Sequence, residues 1–227
     1  ELLARYVEKN TNQNGILFTP IADLQMFGTP EEIEQLVEQY NNSLYKTFRP
    51  ACELGIYRDH VYSKGSEITT VQILRKLISL SGESSVLADL FSCESVNALK
   101  ELPPGEKLDD DAKEVILNTM FSKSKVHLVY GAAGTGKTTL VNHVSRLTSS
   151  QFKAYLAKTH PAKDNLSRRV TAADPGDSFA TIDRFIRNNW FSSRAYDLIV
   201  VDECSTVKND DIIKVLNHPS NASFVFV

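Results

Sequence analysis

The stretch VHLVYGAAGTGKTTLVNHV, Val126 to Val144, holds the residues best fitted to do chemistry. Gly131, Ala132, Ala133, Gly134, Thr135, Gly136, Lys137 and Thr138 follow the pattern G-x-x-x-x-G-K-[ST], with Thr139 directly behind. The spacing answers a specific demand. Phosphate oxygens need a row of backbone N–H groups at close range, which large side chains would block, and the N-terminus of a following helix adds positive potential. Lys137 can set a point charge against the outer phosphates, and the Thr138 hydroxyl suits a magnesium ion. Further on, DLIVVDECS runs four apolar residues, Leu198 to Val201, into Asp202 and Glu203. Asp202 can hold the metal, and Glu203 can polarise a water for in-line attack on a terminal phosphate. An acidic strand end alone is weak evidence, because strand ends meet solvent. Downstream of such a loop it predicts a site that binds and hydrolyses ATP with Mg2+, with Lys137 and Glu203 as the catalytic groups.

These residues need elements to hold them, and the hydropathy pattern supplies a regular set. After residue 108, strands alternate with helices: 126–130, 152–159, 196–203 and the final SFVFV read as strands. GKTTLVNHVSRLTS, PAKDNLSRRV and NDDIIKVLNH read as helices, and FATIDRFIRNN as a short strand, turn and helix. Alternation with near-continuous apolar strands predicts an α/β fold, a parallel sheet with helices on both faces. Ligands of such sheets bind beyond the strand C-terminal ends, where both motifs lie.

Residues 1–107 read as a mostly helical region of unknown role. The clearest helix is TPEEIEQLVEQYNNSLYKTF, with Thr29 as cap, Pro30 at its first position and acidic residues in its first turn. EITTVQILRKLISL is a second, and 84–91 and 95–102 are shorter candidates. LPPGEK, 102–107, breaks structure and marks the predicted boundary; LDDDAKEVILNTMF follows as a helix with Asp109 to Asp111 at its N-terminus. Asp23, Glu31, Glu32 and Glu34 form no nuclease-like constellation.

Between the two phosphate-site motifs lie LAKTHPAKDNLSRRV and FATIDRFI. In order and spacing, the set from Leu108 to Val227 resembles superfamily 1 helicases of the UvrD/Rep and RecD-like groups. Gly131 to Thr138 match the first motif, Thr159-His160-Pro161-Ala162 a Thr-x-x-Ala turn, Thr181 to Phe185 a Thr-Ile-x-x-Phe segment, and Asp202-Glu203-Cys204-Ser205 the acidic motif. The resemblance implies a RecA-like P-loop motor domain that uses ATP hydrolysis to move along or unwind single-stranded nucleic acid, DNA ahead of RNA as the partner. Thr159 and Thr181 would face single-stranded phosphates, and His160 would stack on a base or sugar. Thr159 and Pro161 are also good helix-capping chemistry, and Arg168 and Arg169 also fit a solvated helix face. Cys204 reads as a small residue packed behind the acidic pair. Many relatives carry an adenine-recognising Gln upstream of the loop, where aligning Leu108 puts Ala112. The second motor domain of that family has no counterpart here, so these 227 residues alone are expected to bind nucleotide weakly and turn it over slowly. A P-loop ATPase switch, or a nucleotide-binding regulatory protein without helicase activity, is the competing reading.

Composition sets the remaining bounds. The net charge is −3, but residues 1–124 carry 12 basic against 19 acidic side chains, and residues 125–227 carry 13 against 9. The basic half is the nucleotide-binding one, which permits a polyanionic partner. The three cysteines and five histidines form no metal-ligand or redox spacing, which fits reduced thiols and a cytoplasmic setting. Glu1 and the closing SFVFV read as the ends of a trimmed piece, and no stretch reads as a membrane span or leader.

Overall fold

A computed structural model describes residues 1–84, 124–132, 134–148, 152–171, 173 and 175–227. The helices expected at 84–91, 95–102 and after 108, the boundary at 102–107, and Ala112 and Ala133 lie outside the described residues. The chain divides into two compact units: Glu1–Leu74 with Lys208–Ile213, and Arg75–Val207 with Lys214–Val227.

In the first unit, helix α1 (Leu2–Asn14) leads to strand β1 (Phe18–Pro20), a 3-10 helix (Ile21–Phe27) and α2 (Pro30–Ser43). A short α3 (Arg49–Cys52) then precedes the hairpin β2 (Leu54–Tyr57) and β3 (His60–Ser63), and α4 (Lys64–Ser81) follows. The strands pair antiparallel in the order β1-β3-β2. The β2–β3 hairpin turns at Arg58-Asp59, and β1 adds to it through β3, so the sheet closes beside α1 and α2. Thr29 starts α2 with a full capping box: its side chain accepts from the Glu32 N–H, and Glu32 accepts from the Thr29 N–H at 2.7 Å. Val7, Leu24, Ile33 and Val61 meet in the core, all fully buried.

Helices make up most of this region, as expected, and the small sheet adds three strands to them that the sequence pattern did not predict. Its strands are only three or four residues long, too short for an alternating pattern to declare itself. The hairpin turn is Arg58-Asp59 in place of the usual Asn-Gly, and Arg58 takes a left-handed φ of 52°.

The second unit is built on a five-stranded parallel sheet in the order β4-β8-β7-β5-β6. The strands are β4 (Val126–Leu128), β5 (Lys153–Ala157), β6 (Ser178–Thr181), β7 (Leu198–Val201) and β8 (Ser223–Phe226). Helices α5 (Lys137–Leu147), α6 (His160–Arg169), α7 (Ile182–Arg187), α8 (Asn189–Ser192) and α9 (Asn209–Leu216) connect them. Every residue of β5, β7 and β8 is buried, the burial expected of central parallel strands. Leu140, Val141 and Val144 of α5 and Leu166 of α6 pack with Tyr155, Leu198, Val200 and Val225 of the sheet. Lys153, the one charged residue in these strands, is buried at the end away from the phosphate loop. Its ammonium lies 3.4 Å from Asp177 and donates to the Thr148 carbonyl at 2.9 Å. Burial of both charges is tolerable because each has a partner.

Candidate functional site: a phosphate loop and an acidic strand end

The sheet sets the two principal motifs on one edge. The glycine-rich loop leaves the C-terminal end of β4, and Asp202 and Glu203 follow the C-terminal end of β7, one strand away across β8. The loop's glycines have distinct reasons. Gly134 and Gly136 hold left-handed φ values of 83° and 81°. At Gly131 the reason is space, because a Cβ there would come within 2.6 Å of the Thr135 hydroxyl. The loop folds on itself: the Thr135 hydroxyl donates to the Ala132 carbonyl at 2.9 Å, and the Lys137 ammonium donates to the carbonyls of Gly131 and Ala132 at 2.8 Å each. Gly136 then caps α5 without a side chain over the helix end, so the first-turn N–H groups, which point back toward the loop, keep no side-chain partner at the cap. Thr138 and Thr139 lie in that first turn.

Asp202 is fixed by its backbone, whose N–H donates to the Leu156 carbonyl at 2.9 Å. Burial raises the pKa of its carboxyl and the neighbouring Glu203 charge raises it further, while a backbone hydrogen bond from Glu203 and the charges of Arg169 and Lys137 pull it down. That Lys137 acts on Asp202 shows that the loop lysine and the acidic strand end share one electrostatic environment. Arg169, read from the sequence as part of a solvated face, is exposed, yet its charge also reaches Asp202. Helix spacing could not reveal this, because it follows from how α6 lies against the sheet.

Glu203 adopts φ 51°, one of only two left-handed non-glycine residues among those described. Hydrogen bonds of the turn that follows accompany it. The Cys204 N–H donates to the Val227 carbonyl at 2.8 Å, and a 3-10 turn over Cys204–Thr206 closes onto the Glu203 carbonyl. The Cys204 thiol is half-buried, and burial together with the Asp202 charge raises its pKa, so it stays protonated, as befits a packing residue.

The other predicted residues occupy neighbouring strand ends. β5 and β6 pair with Ala157 opposite Thr181, so the turns after them leave the same edge. Both threonines cap helices: the Thr159 side chain accepts from the Ala162 N–H and that of Thr181 from the Arg184 N–H, each at 3.3 Å. Thr159 and His160 are exposed, whereas Thr181 is buried at 6% exposure.

The donor set fits magnesium. Thr138 and Asp202 offer the hard oxygens that this ion prefers, and a cation would offset the burial and the neighbouring Glu203 charge that raise the Asp202 pKa. Among the described residues no group of three or more His, Cys, Asp or Glu forms a self-sufficient metal site. Such an ion would therefore complete its shell with phosphate oxygens and water.

A parallel sheet with this loop after its edge strand and an acidic pair two strands over defines a P-loop NTPase. A profile of the family described as "AAA domain" matches residues 107–227. The chain belongs to that family. Its curated relatives include genome polyproteins of hepatitis C virus. Similarity is 31% identity over 160 residues for genotype 2k isolate VAT96, covering 64% of this chain and 5% of the polyprotein. For genotype 2b isolate JPUT971017 it is 28% over 106 residues, 40% of this chain and 4% of the polyprotein. The chain thus spans about a twentieth or less of the length of these relatives.

Proposed function

We propose that this chain is part of a superfamily 1 motor that couples ATP hydrolysis to movement along single-stranded nucleic acid, DNA rather than RNA. The observation that carries the reading is the alignment of four motifs on one sheet edge: the loop after β4, the Thr-capped turns after β5 and β6, and the Asp202-Glu203 pair after β7. Backbone N–H groups of the loop and of the α5 N-terminus cradle the phosphates, and Lys137 leaves its two carbonyl partners for the outer phosphate oxygens. Thr138 and Asp202 would hold Mg2+, which offsets phosphate charge. Glu203 orients and deprotonates the attacking water. The exposed Thr159 hydroxyl and the His160 ring meet the strand, contacts that ask nothing of base sequence. Thr181 acts by shaping the start of α7.

A P-loop ATPase switch without translocation is the second reading, favoured by the burial of Thr181. One experiment separates them. In the full-length protein, saturating single-stranded oligodeoxynucleotide should raise the steady-state ATPase rate severalfold, with oligoribonucleotide less effective. A rate indifferent to both supports the switch and contradicts the motor.

A further inference from the structure

A short chain of hydrogen bonds joins the turn after β5 to the turn that carries Glu203. Lys158 follows the buried end of β5 and precedes Thr159, the cap of α6. Its ammonium donates to the backbone carbonyl of Thr206. Thr206 in turn grips Glu203: its N–H and its hydroxyl both donate to the Glu203 carbonyl, at 3.0 and 2.9 Å. Glu203 is the residue held at φ 51°, a conformation that a non-glycine side chain keeps only while its surroundings impose it. Lys158 and Thr206 are both exposed, so this link is open to solvent and can break and re-form at little cost.

We propose that Lys158 is a positioning residue that transmits occupancy of the Thr159 turn to the Glu203 carboxylate. The inference rests on the nucleic-acid reading above for the identity of the occupant. A phosphate arriving beside Thr159 and His160 attracts the adjacent ammonium and shifts the Lys158 stem. Because Lys158 holds the Thr206 carbonyl, the shift reaches the 3-10 turn and changes how firmly the Glu203 backbone is fixed. Occupancy thereby alters the aim of the carboxylate at the water. Lys158 need not touch nucleotide or water for this; it acts through Thr206.

The test uses the full-length protein and the Lys158→Met and Lys158→Arg variants. ATPase rates are read without and with saturating oligodeoxythymidylate, and oligonucleotide affinity is read separately by fluorescence anisotropy across a salt series. The ratio of stimulated to basal rate in Lys158→Met should fall by about fivefold or more, the lower end of ordinary coupling between sites. The salt slope of binding should fall by no more than about 0.7, the share of the one phosphate that attracts the ammonium, and Lys158→Arg, which keeps a donor at similar reach, should restore much of the ratio. Two results overturn the inference: a wild-type ratio and wild-type affinity in Lys158→Met, which would leave Lys158 without a role, or a wild-type ratio at saturation with weakened affinity, which would make Lys158 a plain phosphate contact. A wild-type protein that no oligonucleotide stimulates contradicts the motor reading itself, and is distinguished by needing no variant to be seen.

Discussion

At the scale of single residues the site is a balance of charge. Asp202 sits partly buried beside a second carboxylate, and both circumstances favour its protonated form. A carboxyl whose pKa is raised on folding costs stability once it ionises; the cost is absent below the unfolded value and grows as pH rises through the folded one. Asp202→Asn should therefore raise the melting temperature of the magnesium-free protein at pH 7, with the gap over wild type narrowing as the buffer is acidified, while magnesium-dependent turnover is lost. An unchanged or lowered melting temperature across that pH range would show that the acidic pair is not strained. The P-loop residues and the acidic pair were legible in the sequence because each combines unusual residue types at fixed spacing. The left-handed backbone of Glu203 and the reach of Arg169 were not. They go with the Val227 and Thr206 contacts and with the lie of α6, which local pattern does not encode.

At the scale of elements, strand ends and helix caps coincide. Thr159 accepts the Ala162 N–H while its own hydroxyl proton remains available to an outside acceptor, so capping and phosphate contact are compatible roles. A substitution can part them. Aspartate caps a helix at least as well as threonine but sets a negative charge where a phosphate would come. Thr159→Asp should leave thermal stability within about 0.5 kcal/mol of wild type and weaken oligonucleotide binding by roughly tenfold, equivalent to about 1.4 kcal/mol. Unaltered affinity in a folded variant would reduce Thr159 to a cap alone. The elements themselves were read from the sequence to differing depth. LIVV and KAYLA are buried on both faces, and near-continuous apolar runs announced them despite Lys153. The first unit's strands pair through backbone groups in stretches as short as FTP, where a proline and brevity erase the alternation.

At the scale of the molecule, the two units differ in what their chemistry allows. In the first, α2 carries Glu31, Glu32, Glu34 and Glu38 and no basic residue. Four carboxylates oppose a phosphate backbone, so α2 offers no favourable face to nucleic acid. Among the described residues no helix is long and apolar enough to cross a membrane. The second unit carries the excess of basic side chains together with the P-loop. There, on the proposed function, Glu203 is the base of a nucleotide hydrolase whose rate nucleic acid controls. The direct measurement is ATP turnover by full-length Glu203→Gln alongside MgATP affinity by calorimetry, with and without single-stranded oligonucleotide. The expected result is nucleotide affinity within about twofold of wild type and a turnover rate lower by about 10²-fold or more, which oligonucleotide does not restore. Turnover close to wild type in that variant would contradict the assignment of Glu203 and the mechanism built on it.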